Sequence, residues 1–430
     1  MAAATTSAPR PPTGPATQAE RWATGDRLIL LALFAVGLAI RAALLGTEGF
    51  RDDMDQFARW IGHIARNGLG ELYTDTTGGP VTFGPVMGYV WGALAGLHPG
   101  FATATDAGDP ALNALMKVPA SLADLGMAGL VVAALRERPR WALVGAAAVL
   151  LHPAIIDVSA WWGQYESIYV LPALAGLIAA TRGRNGLAAA LLAVSLATKP
   201  QAIPLILPFV AWCYATGGLR EVVRCGLAGA ATLGVLWLPF VAAGGPQQYL
   251  ANLATYQGEI FNVLSLRAWN PWWLVQEAAV AGQFIPDDVR VVGPFTLRHL
   301  GYAVTGLLSL GLMAAVVRDP RPRTLVLATT ASVLVFFVAM TQMHERYAYA
   351  ALVVPILLFA EARVRWWWLA LSVVVTLNLL SAIPPTDTIR TLLPATGALP
   401  ILGSIAMTGL LIALWVELRR GGGPSGARVR

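Results

Sequence analysis

Val81-Thr-Phe-Gly-Pro-Val-Met-Gly-Tyr-Val-Trp-Gly-Ala-Leu-Ala-Gly-Leu-His98 is the apolar run whose reading decides the topology of this chain. Clear apolar spans flank it on both sides, and short arginine-bearing loops follow. Those loops hold Arg136, Arg138 and Arg140; Arg182 and Arg184; Arg220 and Arg224; Arg318, Arg321 and Arg323; Arg363 and Arg365; Arg419 and Arg420. Short loops rich in Lys and Arg face the cytoplasm. If 81–98 crosses the bilayer, every one of these clusters falls outside. If it does not, all fall inside together, so 81–98 is expected in the interface or dipping into the membrane, within one long external loop, 47–110.

The rest of the sequence supports a membrane reading. Of 430 residues, 56% are apolar and only 13% charged, and the mean hydropathy is +0.61. A soluble domain of that composition would expose large apolar patches. Candidate spans are 27–46, 111–135, 141–156, 162–181, 186–198, 201–217, 224–243, 298–317, 324–342, 347–361, 366–383 and 400–417. Most have the length that carries a helix across the hydrocarbon layer, and backbone in lipid must satisfy its own hydrogen bonds. The expected fold is therefore all-α and polytopic, with about twelve transmembrane helices and both termini in the cytoplasm. Residues 1–26 read as a disordered cytoplasmic N-terminus, 27–417 as the transmembrane domain and 418–430 as a cytoplasmic tail. The net charge of +6 does not indicate nucleic acid, because the arginines are dispersed between apolar runs. Cys213 and Cys225 flank an arginine loop placed in the cytoplasm, so no disulfide is expected, and their spacing fits no zinc pattern. The Ala, Gly and Arg usage fits a GC-rich bacterial genome, and the expected location is the inner membrane.

The loop 47–110 holds the acids: Glu48, Asp52, Asp53, Asp55, Glu71, Asp75, Asp106 and Asp109. Met54, Phe57, Trp60, Ile61 and Ile64 follow at helical spacing, predicting a short amphipathic helix lying on the membrane surface. Carboxylates at its start could simply cap the helix. One aspartate suffices for that, and three together favour a general base, since clustered carboxylates raise one another's pKa.

Further polar residues gather at the same outer face. They are His152 and Asp157, then Gln164 and Glu166 behind Trp161-Trp162, then Lys199 and Gln201, then His344, Glu345 and Arg346. Each alone reads as an interfacial anchor; their convergence reads as function. His344-Glu345 lacks the second histidine of a zinc-protease helix, and no spacing demands a metal. Span centres are nearly free of charge except for Arg41 and Asp124, placed towards the outer ends. The external stretch 244–297, with its amides and tryptophans, suits sugar recognition and equally a wet interfacial loop.

In this order the fragments resemble the GT-C superfamily of integral membrane glycosyltransferases. They are most similar to the dolichyl-phosphate-glucose glucosyltransferases and to bacterial relatives of the GPI-type mannosyltransferases. Asp53 ahead of Trp60 looks like the catalytic-Asp segment of the first luminal loop. Tyr73 with Thr82-Phe-Gly-Pro-Val-Met-Gly-Tyr89 is similar to a Tyr-Pro-Pro-Leu segment, Gly84 standing where the family has proline. His152-Pro-Ala-Ile-Ile-Asp157 and Gly163-Gln-Tyr-Glu166 look like a His-Pro…Asp…Gln-Tyr-Asn block. Thr198-Lys-Pro-Gln201 resembles a Lys-Pro-Gln turn, Ser265 through Asn270 to Trp272 a Ser…Asn-x-Trp patch, and Met343-His-Glu-Arg-Tyr347 a His-Glu-Arg block.

The resemblance implies a GT-C-like fold, with 47–110 catalytic and 244–297 in substrate recognition. It implies transfer of a hexose, mannose or glucose first, from a polyprenyl-phosphate donor to a glycan or glycolipid acceptor outside the cytoplasm. Asp53 is the expected base, with Asp52 and Asp55 holding the acceptor or tuning its pKa. Lys199, His344 and Arg346 are expected on the donor phosphate, Arg as a bidentate ligand and Lys as a point charge. His152, Asp157, Gln164, Glu166, Gln201, Asn270 and Glu345 complete the substrate-binding set. No cofactor and no metal is expected, and the partners are the lipid-linked donor, the acceptor and membrane lipids, not nucleic acid. The competing class, a transporter or lipid flippase, would need mid-span charges and paired broken helices.

Overall fold

The structure, a computed structural model, describes residues 22–74 and 78–420. The first 21 residues, Asp75 and the tail from 421 lie outside the described residues, so the disorder expected at the two ends does too. The chain forms α1 (Thr24–Leu44), α2 (Arg51–Asn67), α3 (Pro85–Leu97), α4 (Pro110–Ala134), α5 (Pro139–Leu150), α6 (Pro153–Ile156), α7 (Glu166–Thr181), α8 (Asn185–Leu196) and α9 (Ile203–Val241). Then come α10 (Gly245–Thr255), α11 (Pro271–Val280), α12 (Leu297–Arg318), α13 (Pro322–Ala339), α14 (Tyr349–Val353), α15 (Ala362–Ala382), α16 (Asp387–Leu392) and α17 (Ala398–Arg420). Four very short strands interrupt them: β1 (Ser265–Leu266), β2 (Arg290–Val292), β3 (Phe295–Thr296) and β4 (Met343–His344). The fold is an all-α, multi-pass membrane bundle.

Among the described residues seven helices are long and apolar enough to cross a membrane, or eight if α5 and the bent segment after it count as one. The other segments among the twelve are modified for local reasons. The runs 201–217 and 224–243 are two helices within α9, separated by a break at Gly218, whose φ is +65°. The run 141–156 breaks after Leu150, where Pro153 starts a new turn bent by 46°. Glu166–Thr181 and Asn185–Leu196 are helices of 16 and 12 residues. The run 347–361 is no continuous helix. Tight 3-10 turns flank the single turn of α14, and Pro355 removes a backbone donor there. Tyr349 through Val354 are fully buried, and irregular backbone at membrane depth is tolerated where protein encloses it. The disputed run is α3, 13 residues long, hence about 20 Å and too short to cross.

The amphipathic helix exists but does not lie on a lipid surface. Met54, Phe57, Trp60, Ile61 and Ile64 are all at most 5% exposed. They pack against Phe83, Trp91, Phe101 and Tyr165 in a satellite core. Phe57 meets Tyr165 at 4.8 Å and Trp60 meets Trp91 at 5.3 Å, pairs worth about 0.5–1.5 kcal/mol each beyond their burial.

Arg41 and Asp124 are partners. Nε of Arg41 lies 2.8 Å from Oδ2 of Asp124, and both side chains are buried. Arg41 also donates to the carbonyls of Gly37 and Leu150, and Asp124 accepts from Ser159, Ser167 and Tyr349. This one pair therefore ties α1, α4, α5, α7 and α14 together. At one end of the bundle Arg323 pairs with Glu361 at 2.9 Å and Glu417 at 2.6 Å, gathering three of the arginine-bearing loops. At the other end of α4, Lys117 donates to the Thr47 hydroxyl at 3.0 Å and Asn113 to the carbonyl of Glu48 at 3.1 Å. The acidic loop opens there.

Candidate active site

A cavity of about 380 Å³ lies at that acidic end. Its polar wall is Asp53, Gln56, Gln164, Lys199, Gln201, His344 and Arg346; its apolar wall includes Ile203, Pro204, Val333, Phe336 and Met340. Four separate elements bring the polar groups together: the first turn of α2, the turn before α7, the loop before α9 and the loop after α13.

Asp53 is held from one side. Its Oδ2 accepts the indole N–H of Trp162 at 2.9 Å and the amide N–H of Gln164. Trp162 ends a widened π-type turn at Asp157–Trp162, closed by Gly163 at φ +92°, and Gln164 follows directly after it. Such turns are rare and collect at functional sites. Only glycine fits here, because a Cβ at 163 would come within 2.3 Å of the Met54 sulfur. That approach packs α2 against the turn and delivers Asp53 to Trp162.

The cations are buried with counter-charges. Lys199 Nζ donates to Glu166 Oε1. Arg346 donates to Glu345 at 3.1 Å and to Nδ1 of His344 at 3.2 Å, and its Nε lies 3.3 Å from Glu166 Oε1. The guanidinium rests 4.8 Å from the Trp162 ring, a contact of about 2 kcal/mol when desolvated. Buried charges need such partners. Because Arg346 donates to Nδ1, the proton of neutral His344 sits on Nε2. Burial, with Arg346 beside it, lowers the His344 pKa. Burial pushes the Glu345 carboxyl up, and the Arg346 guanidinium beside it pulls it down. Strand pairing fixes this loop, since β4 runs parallel to β1 with Leu266 opposite His344.

Glycine at position 84 has a geometric reason. A Cβ there would lie 2.2 Å from the carbonyl oxygen of Ala197. Gly84 N–H instead donates to Thr198 at 3.0 Å and Val86 N–H to Ala197 at 3.0 Å. These bonds clamp the Phe83 segment to the Lys199 turn, and Lys199 sits 5.1 Å above the Phe83 ring.

Of the residues singled out from the sequence, Asp53, Gln164, Lys199, Gln201, His344 and Arg346 line the cavity, with Glu166 and Glu345 behind the cations. Asp52 and Asp55 do not line it. Asp52 is exposed; Asp55 accepts the N–H of Ala107 at 2.8 Å and pairs with Arg51 at 3.2 Å, bracing the loop. His152 caps its own turn through Ala154 and packs on Trp368, in a separate groove. Asn270 caps α11 through Trp273 and donates to the carbonyl of Phe337. Asp157 is half-buried in the π-type turn, and its buried Oδ2 has no hydrogen-bond partner among the described residues. Among the described residues no three His, Cys, Asp or Glu side chains converge as metal ligands. Gln56 and Tyr256, hydrogen-bonded at 3.3 Å, also line the wall; Tyr256 belongs to the external stretch 244–297, and Gln56 is a wall residue the sequence reading missed. Gln56 stands three residues after Asp53, so helical spacing could have found it.

One cavity of this helical membrane bundle thus holds a carboxylate, buried cations and an apolar wall. A family model for the ALG6, ALG8 glycosyltransferase family matches residues 121–393, more than half of the sequence, and the chain belongs to that family. It is a multi-pass membrane glycosyltransferase that uses a lipid-linked sugar. The matched region contains Gln164, Glu166, Lys199 and the His344–Arg346 block; the acidic loop precedes it. No curated protein matches the chain in direct comparison.

Proposed function

We propose that this protein moves a hexose, glucose or mannose, from a polyprenyl-phosphate donor to a lipid-linked glycan or other envelope acceptor. The reaction runs at the non-cytoplasmic face of a bacterial inner membrane, and both termini are cytoplasmic. The observation that carries this reading is the single cavity holding Asp53, Lys199 and Arg346 beside an apolar wall. One carboxylate and two cations in a partly dry site suit general-base catalysis with stabilisation of a leaving anion.

Asp53 takes the proton of an acceptor hydroxyl. The freed oxygen attacks the anomeric carbon, and the bond from that carbon to the phosphate oxygen breaks with its electron pair. Polyprenyl phosphate leaves carrying one more negative charge. Lys199 has donors beyond its bond to Glu166 to meet that charge, Arg346 adds a fixed guanidinium, and His344 offers Nε2–H. Trp162 and Gln164 hold the Asp53 carboxylate so that its second oxygen can face the acceptor. The polyprenyl chain lies along Ile203, Pro204, Val333, Phe336 and Met340. Asp52, Asp55, His152 and Asn270 act through the scaffold.

The test is a transfer assay with purified protein in vesicles, labelled polyprenyl-phosphate-glucose or -mannose, and glycolipids extracted from a strain lacking the gene. Transfer of label from one donor is expected. Absence of transfer with either donor, from protein that inserts normally, would overturn the reading. Reporter fusions placing Asp53 and His344 on opposite sides of the bilayer would do the same.

A further inference from the structure

A second cavity has a volume of about 480 Å³. Phe50 and Trp161 line it. Phe50 meets Trp162 edge-on at 5.7 Å, and Trp162 holds Asp53. Phe50 immediately precedes the helix turn that carries Asp53. That turn and that indole therefore link the lining of the second cavity to Asp53 in the first.

The charged side chains lining the second cavity are two arginines, Arg267 and Arg390; no carboxylate lines it among the described residues. Arg267 is a non-glycine residue at φ +60°, a sparsely populated conformation that persists where surroundings impose it. What imposes it is β1: Arg267 bridges His344 of the first cavity directly through the backbone. One guanidinium nitrogen of Arg267 donates to the carbonyl of Ala382 at 2.9 Å, which aims the side chain and leaves its other donors available. Arg390 is paired only with Asp387 at 2.9 Å, both largely exposed. Such a pair contributes little and yields readily to a stronger anion. A guanidinium fork matches phosphate oxygens.

Transfer joins two substrates, and the first cavity accounts for one. We propose that the second cavity is the acceptor subsite, where Arg267 and Arg390 bind a phosphate or diphosphate group of a lipid-linked acceptor. The assignment rests on the reading of the first cavity as the donor site. The backbone bridge from Arg267 to His344 then fixes the acceptor's anionic group at a set distance from the donor phosphate, and the acceptor hydroxyl approaches Asp53 past Phe50 and Trp162.

The experiment uses the full-length chain in nanodiscs of neutral lipid, with the first cavity filled by polyprenyl-phosphate-glucose. Inorganic diphosphate and farnesyl diphosphate are titrated in turn, and donor binding is measured separately. The expected result is saturable diphosphate binding that weakens at least tenfold in Arg267→Gln/Arg390→Gln, with donor affinity unchanged. Asp387→Asn, which frees Arg390, strengthens it. Tighter binding of farnesyl diphosphate than of inorganic diphosphate assigns a lipid-linked source; equal affinity overturns that part. Diphosphate binding indifferent to both substitutions overturns the subsite. Should the double variant fold poorly, Arg390→Gln alone decides, because that side chain is exposed and its ion-pair partner among the described residues is the exposed Asp387. If the wild type fails to bind polyprenyl-phosphate-glucose, the donor reading fails, while the response of diphosphate binding to Arg390→Gln still judges this cavity.

Discussion

Replacing Asp53 with asparagine separates its chemistry from its place in the structure. The change is isosteric. The asparagine carbonyl oxygen can still accept from Trp162 and Gln164, the two donors that fix the carboxylate, so the turn and α2 stay docked. What is lost is a proton acceptor, worth about 10²–10⁴ in rate when positioned at the reacting group. What also changes is the field. Asp53, Glu166 and Glu345 oppose Lys199 and Arg346 here, with His344 kept neutral by burial and Arg346. The cluster therefore carries one uncompensated negative charge, and Asp53→Asn removes it. An anionic donor should bind as well as before or up to about tenfold tighter. The assay is single-turnover transfer alongside equilibrium donor binding, with Asp55→Asn as the contrast, since Asp55 touches only the Ala107 N–H and Arg51. The expected pattern is a rate loss of about 10²–10⁴ for Asp53→Asn and a change within about threefold for Asp55→Asn, whose amide oxygen still accepts from Ala107. Asp53→Asn retaining more than a tenth of the wild-type rate, or losing rate only because donor affinity collapses, would refute the base assignment.

Other substitutions test the scaffold. Arg41→Met leaves Asp124 charged and buried, so a loss of about 3–5 kcal/mol in detergent unfolding is expected; adding Asp124→Asn should recover more than half of it, and no recovery would mean the pair is not coupled. Gly84→Ala forces a Cβ against the Ala197 carbonyl; a cost of about 1–3 kcal/mol is expected, with weaker donor binding as the Lys199 turn shifts, and a silent phenotype would contradict the clamp. His344 has a pKa below its unfolded value near 6.5. Its contribution to stability is thus complete above about pH 6.5 and is lost as pH falls towards the lowered folded value, because the unfolded chain takes up the proton first. Thermal unfolding between pH 7 and 5 should fall less steeply in His344→Gln, and identical slopes would show that His344 does not titrate in this way.

The sequence settled what depends on local chemistry. Apolar runs of bilayer length must be helical, so the multi-pass bundle was legible from composition and from the spacing of arginines alone. The first turn of α2 was legible as well, through the heptad-like spacing from Met54 to Ile64 and the acids before it. Tertiary structure decided what that apolar stripe faces, turning an expected lipid contact into a packed core beneath Phe83 and Tyr165. It decided which carboxylate enters the cavity: three aspartates within four residues are equivalent on paper, but neighbours on a helix point about 100° apart, and only one meets Trp162 and Gln164. Arg41 and Asp124 looked like stray charges at the ends of two spans because no local rule relates residues 83 apart in the chain. Span lengths and side-chain types are properties of the chain itself; the meeting of α2, the Gly163 turn, the Lys199 turn and the Arg346 loop exists only once backbones approach as closely as Gly84 and Gly163 allow.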